Sequence, residues 1–237
     1  LDKQIMNFIE KWLDVPKHIV QLGLWNTKKS YVYDKFNTVN YLRARGDLGT
    51  GKSRFLDTFG FISYKPLFTT GAITPAPLFR MIDKWKATLV MDEADLNQSD
   101  ASNDVIKVLN QGFERGKYIL RCDPDDANKV ITFDPYCPKI IATRLSFVDK
   151  ATESRCLTHI TSATQRKNIP MEKDLSFYKE ALDIRGKLLM WRFNNYFSIK
   201  TKVDLNVDLD MLEPRIKQLV SSFACIFSDN KDEMKIF

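Results

Sequence analysis

The order of apolar patterns along the chain predicts an α/β fold: a parallel sheet covered by helices on both faces, followed by a small all-helical unit. Short apolar runs alternate with helical patterns from about residue 39 to residue 161, as strand–helix–strand units do. From about Pro170 onward only helical periodicity remains. The chain has 237 residues, 44% hydrophobic and 28% charged, which suffices for one large domain with an appendage and excludes wholesale disorder.

The elements follow in order. Ile5, Phe8, Ile9 and Leu13 recur at helical spacing over 3–13, and Pro16 closes that run. Ile19–Trp25 reads as a further short helix. Val39–Arg45 alternates like a strand and stops at Gly46. Phe55, Leu56 and Phe59 predict a helix over about 52–62, and Pro66–Thr69 a short strand. Thr74-Pro75 is an N-cap followed by proline at the first helical position, opening a helix to about Lys84. Ala87–Met91 is a continuous apolar run ending in acids, the pattern of a buried parallel strand. Asp100–Gln111 reads as a helix stopped by Gly112. The runs 117–122 and 129–133 flank the turn-rich 123–128, a hairpin signal. Pro138–Thr143 and Cys156–Thr161 are the last strands. Phe177, Ala181, Ile184, Leu188, Trp191 and Asn195 then draw one helix face, and Leu209–Phe227 predicts a final amphipathic helix. The expected division is a helical linker over 1–38, an α/β core over 39–168 and a helical lid over 169–237.

Composition narrows the function classes. Thirty-six Lys and Arg against thirty Asp and Glu leave a net charge of +6, compatible with a polyanionic partner. No apolar run approaches the length of a membrane span and no leader pattern opens the chain, so no membrane partner is expected. Starting at Leu1, inside a helical pattern, the chain reads as a module of a longer protein. Its four cysteines, Cys122, Cys137, Cys156 and Cys225, form no C-x-x-C pair, and His18 and His159 are the only histidines. Zinc is therefore not expected, and reduced thiols fit a cytoplasmic location.

Gly46-Asp47-Leu48-Gly49-Thr50-Gly51-Lys52-Ser53 matches G-x-x-x-x-G-K-[ST] in full, between a predicted strand and a predicted helix. Glycines at 46, 49 and 51 free the backbone to point successive N–H groups at a phosphate, and the following helix aims its positive end at the same place. Lys52 is expected on the β- and γ-phosphates and the Ser53 hydroxyl on Mg²⁺, with Arg54 completing the segment. Asp92 and Glu93 end the apolar strand about 40 residues downstream, expected on a strand neighbouring the first. Ligands of open α/β sheets lie outside such strand ends. Asp92 suits Mg²⁺, and Glu93 can polarise an attacking water. ATP and Mg²⁺ are the expected ligands and hydrolysis the expected reaction.

The stretch Tyr41–Arg54, then Thr74–Arg80, then Asp92-Glu-Ala-Asp95, resembles the AAA+ ATPase modules of primase–helicase proteins of phages, plasmids and other mobile elements. Asn110-Gln-Gly-Phe113, Pro138–Arg144 and Glu153-Ser-Arg-Cys156 extend the likeness, which covers roughly residues 8–197. The resemblance implies a three-layer P-loop sandwich with a helical lid and a DNA helicase or translocase working as a homo-oligomer, hexameric in the full-length protein. It implies Thr143 as sensor 1 beside the γ-phosphate. Ser154-Arg155-Cys156 is similar to the arginine-finger motif of clamp loaders, so Arg155 would reach a neighbour's ATP, with Arg144 as the rival. Arg185 or Arg192 on the lid helix are the candidates for sensor 2. In the related minichromosome-maintenance and superfamily 3 helicases a hairpin in the position of 117–133 grips DNA. Arg115, Lys117, Arg121 and Lys129 are the candidate phosphate contacts here, although Asp123, Asp125 and Asp126 at the tip oppose a backbone by charge. The alternative function is an ATP switch or loader acting on protein partners. The wall of the adenine site is expected from the segment between about Val15 and Phe36.

Overall fold

The computed structural model describes residues 1–70, 72–94, 100–126, 128–201 and 214–227. The helices are α1 (Asp2–Trp12), α2 (Lys17–Ser30), α3 (Lys52–Gly60), α4 (Pro75–Trp85), α5 (Asp100–Gln111), α6 (Lys150–Glu153), α7 (Leu175–Asn195) and α8 (Pro214–Phe227), with a 3₁₀ turn at Tyr33–Lys35. The strands are β1 (Tyr41–Arg45), β2 (Pro66–Thr70), β3 (Thr88–Asp92), β4 (Ile119–Cys122), β5 (Val130–Phe133), β6 (Lys139–Thr143) and β7 (Cys156–Ile160). Residues 209–213 of the expected last helix, and Asp95, lie outside the described residues.

Five strands form one parallel sheet in the order β2-β3-β6-β1-β7, and β4 and β5 form a separate antiparallel hairpin. The strand that enters the glycine-rich turn and the strand that ends in Asp92 are therefore not neighbours, contrary to the expectation from the sequence. β6 lies between them, paired with β1 from Tyr41↔Lys139 to Arg45↔Thr143 and with β3 from Leu89↔Lys139 to Met91↔Ile141. The correction has a physical cause: pattern and spacing identify strands, whereas pairing is decided by packing between distant segments.

Alternation along the central strands sorts the two helical layers. Leu42, Ala44, Val90, Ile140 and Ala142 face α3, α1, α2 and α7. Tyr41, Leu89, Met91 and Ile141 face α4 and α5, meeting Leu78, Phe79, Ile82, Val105 and Val108. Both faces of the central strands are thus dry, which is why they read as near-continuous apolar runs.

The N-terminal helices belong to the first of these layers. α1 buries Ile5, Phe8, Ile9 and Trp12 at spacings of three, one and three. Phe177 of α7 receives that stripe, its ring 5.3 Å from Phe8 and 5.1 Å, edge-on, from Trp12. α2 is buried on nearly every side from Gly23 to Ser30. Its Lys29 Nζ donates to Asn40 Oδ1 at 2.8 Å and to the Ser222 hydroxyl of α8. The strand ends nearest Gly46 and Asp92 open onto one edge of the sheet, and that edge carries the site.

Candidate functional site

The turn after β1 is built in three parts. Gly46 N donates to Thr143 O at 3.2 Å, tying the turn's entry to β6. Gly49 (φ 76°) and Gly51 (φ 87°) take left-handed conformations open to glycine at little cost, so the N–H groups around them curl into an anion-holding concavity. Gly51 caps α3, whose positive end faces the same space. Gly46 differs from the expectation, because its φ does not lie in that region. Its constraint is steric: a Cβ there would sit 2.3 Å from Thr161 Oγ1 and 2.9 Å from Thr50 Oγ1. These two hydroxyls meet at 2.7 Å and latch the turn to the residue just after β7. Lys52 Nζ donates to Gly46 O at 2.7 Å and Asp47 O at 2.6 Å, so its charge crosses the mouth of the turn. Thr50 Oγ1 donates to Asp47 O at 2.8 Å, while Leu48 projects into solvent.

The acids arrive from β3. Ser53 Oγ donates to Asp92 Oδ2 at 2.9 Å, and Asp92 Oδ1 accepts from the backbone N of Glu93 at 2.8 Å. One carboxylate therefore touches α3 and also holds the turn that follows it. In that turn Glu93 has φ 51°, a left-handed conformation costing a non-glycine residue about 1–2 kcal/mol. Ala94 N then returns to Ala142 O at 2.9 Å, so the strained residue is held from both sides. Gly49, Gly51, Lys52, Ser53, Asp92, Glu93 and Arg144 line one cavity of about 410 Å³. Thr143, the residue before Arg144 at the end of β6, is buried and does not line the cavity; its hydroxyl has no hydrogen-bond partner among the described residues. The Ser53 hydroxyl and Asp92 carboxylate, already in contact, are hard oxygen donors of the kind that hold magnesium, so the residues fit that ion.

A second cavity, of about 540 Å³, meets the first at Gly49, Gly51 and Arg54. Its walls come from Trp12, Leu13 and Asp14 on one side and from residues 162–171 on the other. Asp14 Oδ2 accepts from Thr164 Oγ1 at 2.7 Å, Arg166 Nη2 donates to Glu10 O at 3.0 Å, and Arg54 Nη2 donates to Met171 O at 2.6 Å. The segment Val15–Phe36, expected to form this wall, lines neither cavity. It turns inward as α2 and the 3₁₀ turn, because its apolar residues bury against α3 and α8.

No protein-family model matches the sequence, and no curated protein matches it. Solved structures do match, at low identity. The A-form apo structure of the NrS-1 C-terminal region aligns over 98% of this chain and 50% of its own, at 14% identity and a TM-score of 0.50. The SCCmec type IV Cch active helicase aligns over 95% of this chain and 43% of its own, at 11% identity and the same score. The chain shares the α/β P-loop fold of these two structures. It spans about half the length of these two structures. A third match, JCV helicase bound to an acetamide compound, covers 80% of this chain and 61% of its own at 10% identity, with a TM-score of 0.41.

The remaining residues singled out in the sequence are dispersed over this P-loop module. Arg155 sits at the opposite end of the strands from the turn: Tyr41 pairs with Cys156, and Tyr41 N donates to Arg155 O at 3.0 Å. Arg45 lies four residue steps along β1 from Tyr41, roughly 13 Å of strand. The Arg155 guanidinium lies over the Phe113 ring at 5.0 Å and donates to Ala151 O. Arg144, by contrast, lines the module's own cavity. Neither Arg185 nor Arg192 lines either cavity. Arg192 is bidentate to Asp34, at 2.9 and 2.7 Å, and bonded to Tyr31 O. On the hairpin, Lys129 pairs with Asp123 at 3.0 Å, and Arg121 lies over the Phe79 ring at 5.4 Å. Arg115 at its base donates to Asp34 O, and Lys117 is exposed.

Proposed function

We propose that the chain is an AAA+-type motor module that binds and hydrolyses Mg·ATP and moves or opens nucleic acid, with DNA favoured, as part of a homo-oligomeric ring that is hexameric in the longer protein. The observation that carries the reading is the Ser53–Asp92 contact at 2.9 Å, which joins the phosphate turn to the acidic strand end across β6. In this reading the triphosphate lies in the turn over 46–53, with Lys52 leaving Gly46 O and Asp47 O for the β- and γ-phosphates. Ser53 and Asp92 would hold magnesium, which would supply charge neutralisation on the phosphates. Glu93, turned into the cavity by its left-handed backbone, orients and deprotonates the attacking water. Thr143, buried beside Arg144 with an unpartnered hydroxyl, takes the sensor 1 role. The second cavity takes the nucleoside, with Trp12 and Leu13 as its apolar wall.

Arg155 lies too far from its own turn to act there, so it serves a neighbour's site. Such an arginine is worth roughly 10³–10⁵ in rate. Arg185, or Arg192 after release from Asp34, takes the sensor 2 role only if the lid moves. At the pore, exposed Lys117 is the first candidate for a phosphate contact, and Arg115, Arg121 and Lys129 would first have to leave their present partners. Three variants test the reading. Lys52→Ala loses nucleotide affinity, Glu93→Gln binds ATP and barely hydrolyses it, and Arg155→Ala abolishes turnover. Turnover by Glu93→Gln within threefold of the parent would refute the assignment.

One observation favours the reading as a switch acting on protein partners: the outward hairpin face carries Tyr118, Leu120 and Val130, each more than half exposed. Turnover stimulated by a protein and by neither DNA nor RNA would select it.

A further inference from the structure

We propose that the ion pair between buried Arg43 and half-buried Glu153 positions Arg155, fixing the direction in which this chain presents that arginine to a second copy. The inference rests on the shared-site reading above. Arg43 lies in the middle of β1, 1% exposed, where an aliphatic side chain would fill the space without any need for a charged partner. Each of its three guanidinium nitrogens donates a hydrogen bond. Nη1 and Nη2 bond Glu153 Oε2 and Oε1 at 2.7 and 2.5 Å, Nε donates to Thr158 Oγ1 at 3.0 Å, and its flat face lies over the Phe147 ring at 5.2 Å. Replacing such buried pairs by apolar residues is often neutral or stabilising, so stability alone is a weak reason for this one. A bidentate fork does something an aliphatic contact cannot: it sets direction.

What it directs is α6. This helix has four residues, too few to hold its own orientation, and Glu153 is its last residue, two before Arg155. Its other end is tied to α5, where the Asp149 carboxylate caps Thr152 N at 2.7 Å and accepts from Asn110 Nδ2 at 2.9 Å. Glu153 also accepts from Phe147 N at 2.8 Å, which fixes the loop leading from Thr143 to α6. The hydrogen bonds from Arg43 hold the Glu153 carboxyl below the ordinary range, so the pair is ionised at neutral pH. Without the fork, α6 keeps its tie to α5, and Arg155 is left held by the bond from Tyr41 N to its carbonyl and by its own contacts with Phe113 and Ala151 O, with no charged partner fixing the turn before it.

Mixing experiments with the full chain separate positioning from mere structure. A subunit with Lys52→Ala offers an arginine but no working site, and one with Arg155→Ala offers a site but no arginine. Their mixture is expected to regain ATP hydrolysis. Adding Glu153→Gln to the arginine donor is expected to lower that activity about 10- to 100-fold at unchanged KM for ATP. Adding it to the site donor is expected to change it less than twofold, which also certifies that the variant is folded. Arg43→Lys, able to make one bond in place of the fork, is expected to give an intermediate loss in the donor arm only. Equal activity in both arms, or equal loss in both, overturns the positioning role and leaves the shared site standing. No recovery in the reference mixture overturns the shared site and this inference with it.

Discussion

Replacing Gly46 by alanine tests the geometry of the phosphate turn without touching a charged group. The added methyl would sit 2.3 Å from Thr161 Oγ1, 2.9 Å from Thr161 O and 2.9 Å from Thr50 Oγ1, all closer than carbon and oxygen tolerate. Because φ at this residue is not left-handed, alanine adds no backbone strain there, and the whole cost falls on the latch between Thr50 and Thr161. Breaking that hydrogen bond costs about 0.5–1.5 kcal/mol, and the overpacking about 1–3 kcal/mol. If the turn must regain its present shape to bind, the sum of about 1.5–4.5 kcal/mol appears in binding, a loss of roughly 10- to 2,000-fold in affinity for Mg·ATP. Titration calorimetry measures this directly. Thr161→Ala removes the nearest of the three clashing atoms and leaves the carbonyl, so Gly46→Ala with Thr161→Ala should recover part of the loss. Wild-type affinity in Gly46→Ala, or no recovery in the double variant, would refute the idea that this latch shapes the turn.

Two further predictions concern stability. Burial lowers the Lys29 ammonium from 10.5 to about 7, so between those values the unfolded chain binds the proton that the folded chain does not, and the parent gains stability as pH rises. Lys29→Met removes this dependence, and its stability relative to the parent should fall by up to about 1.4 kcal/mol per pH unit from pH 7 towards 10 in denaturant titrations. A pH-independent difference would show that Lys29 stays protonated. Phe177→Ala empties the space between Phe8, Trp12 and Phe61 and should cost about 3–5 kcal/mol in the same assay, so a loss below 1 kcal/mol would mean that α7 does not depend on that contact.

Much of this molecule was legible because its chemistry is encoded locally. The glycine-rich turn, Lys52 and Ser53 are contiguous, and Asp92 and Glu93 end an apolar run, so residue type and order suffice to place them on a strand end and a helix start. The buried strands are recognisable because both faces are covered. The features that escaped depend on distant partners. The insertion of β6 between β1 and β3 follows from packing, and nothing within β1 or β3 encodes it. Gly46 appears in the sequence as a conformational glycine, yet its constraint is Thr161, 115 residues further on. α6 is too short for any periodicity to reveal it, and it exists because Asp149, Glu153 and Tyr41 N tie it down. The second cavity is shared by residues 12–14 and 162–171, two segments with no local signature that meet only once the sheet has closed.

The strand ends divide the chemistry in a way that bears on how the module works. The phosphate turn, Asp92 and Glu93 occupy the carboxyl ends of β1 and β3, whereas Arg155 enters β7 at its amino end, level with Tyr41. In a parallel sheet these ends face opposite ways, and no rotation of a side chain exchanges them. Under the proposed shared-site reading, an arginine at the amino end cannot serve its own site and is available only to another's. The same sheet explains how the two ends remain in register. β1 carries Arg43 in its middle and delivers Gly46 at its end, so the strand that fixes the turn is also the strand that grips Glu153. If hydrolysis is shared between copies, the distance between a chain's own phosphate turn and the arginine it lends is then a property of one short, fully buried strand. Such a strand transmits displacement with little compliance, because close packing leaves it no alternative arrangement.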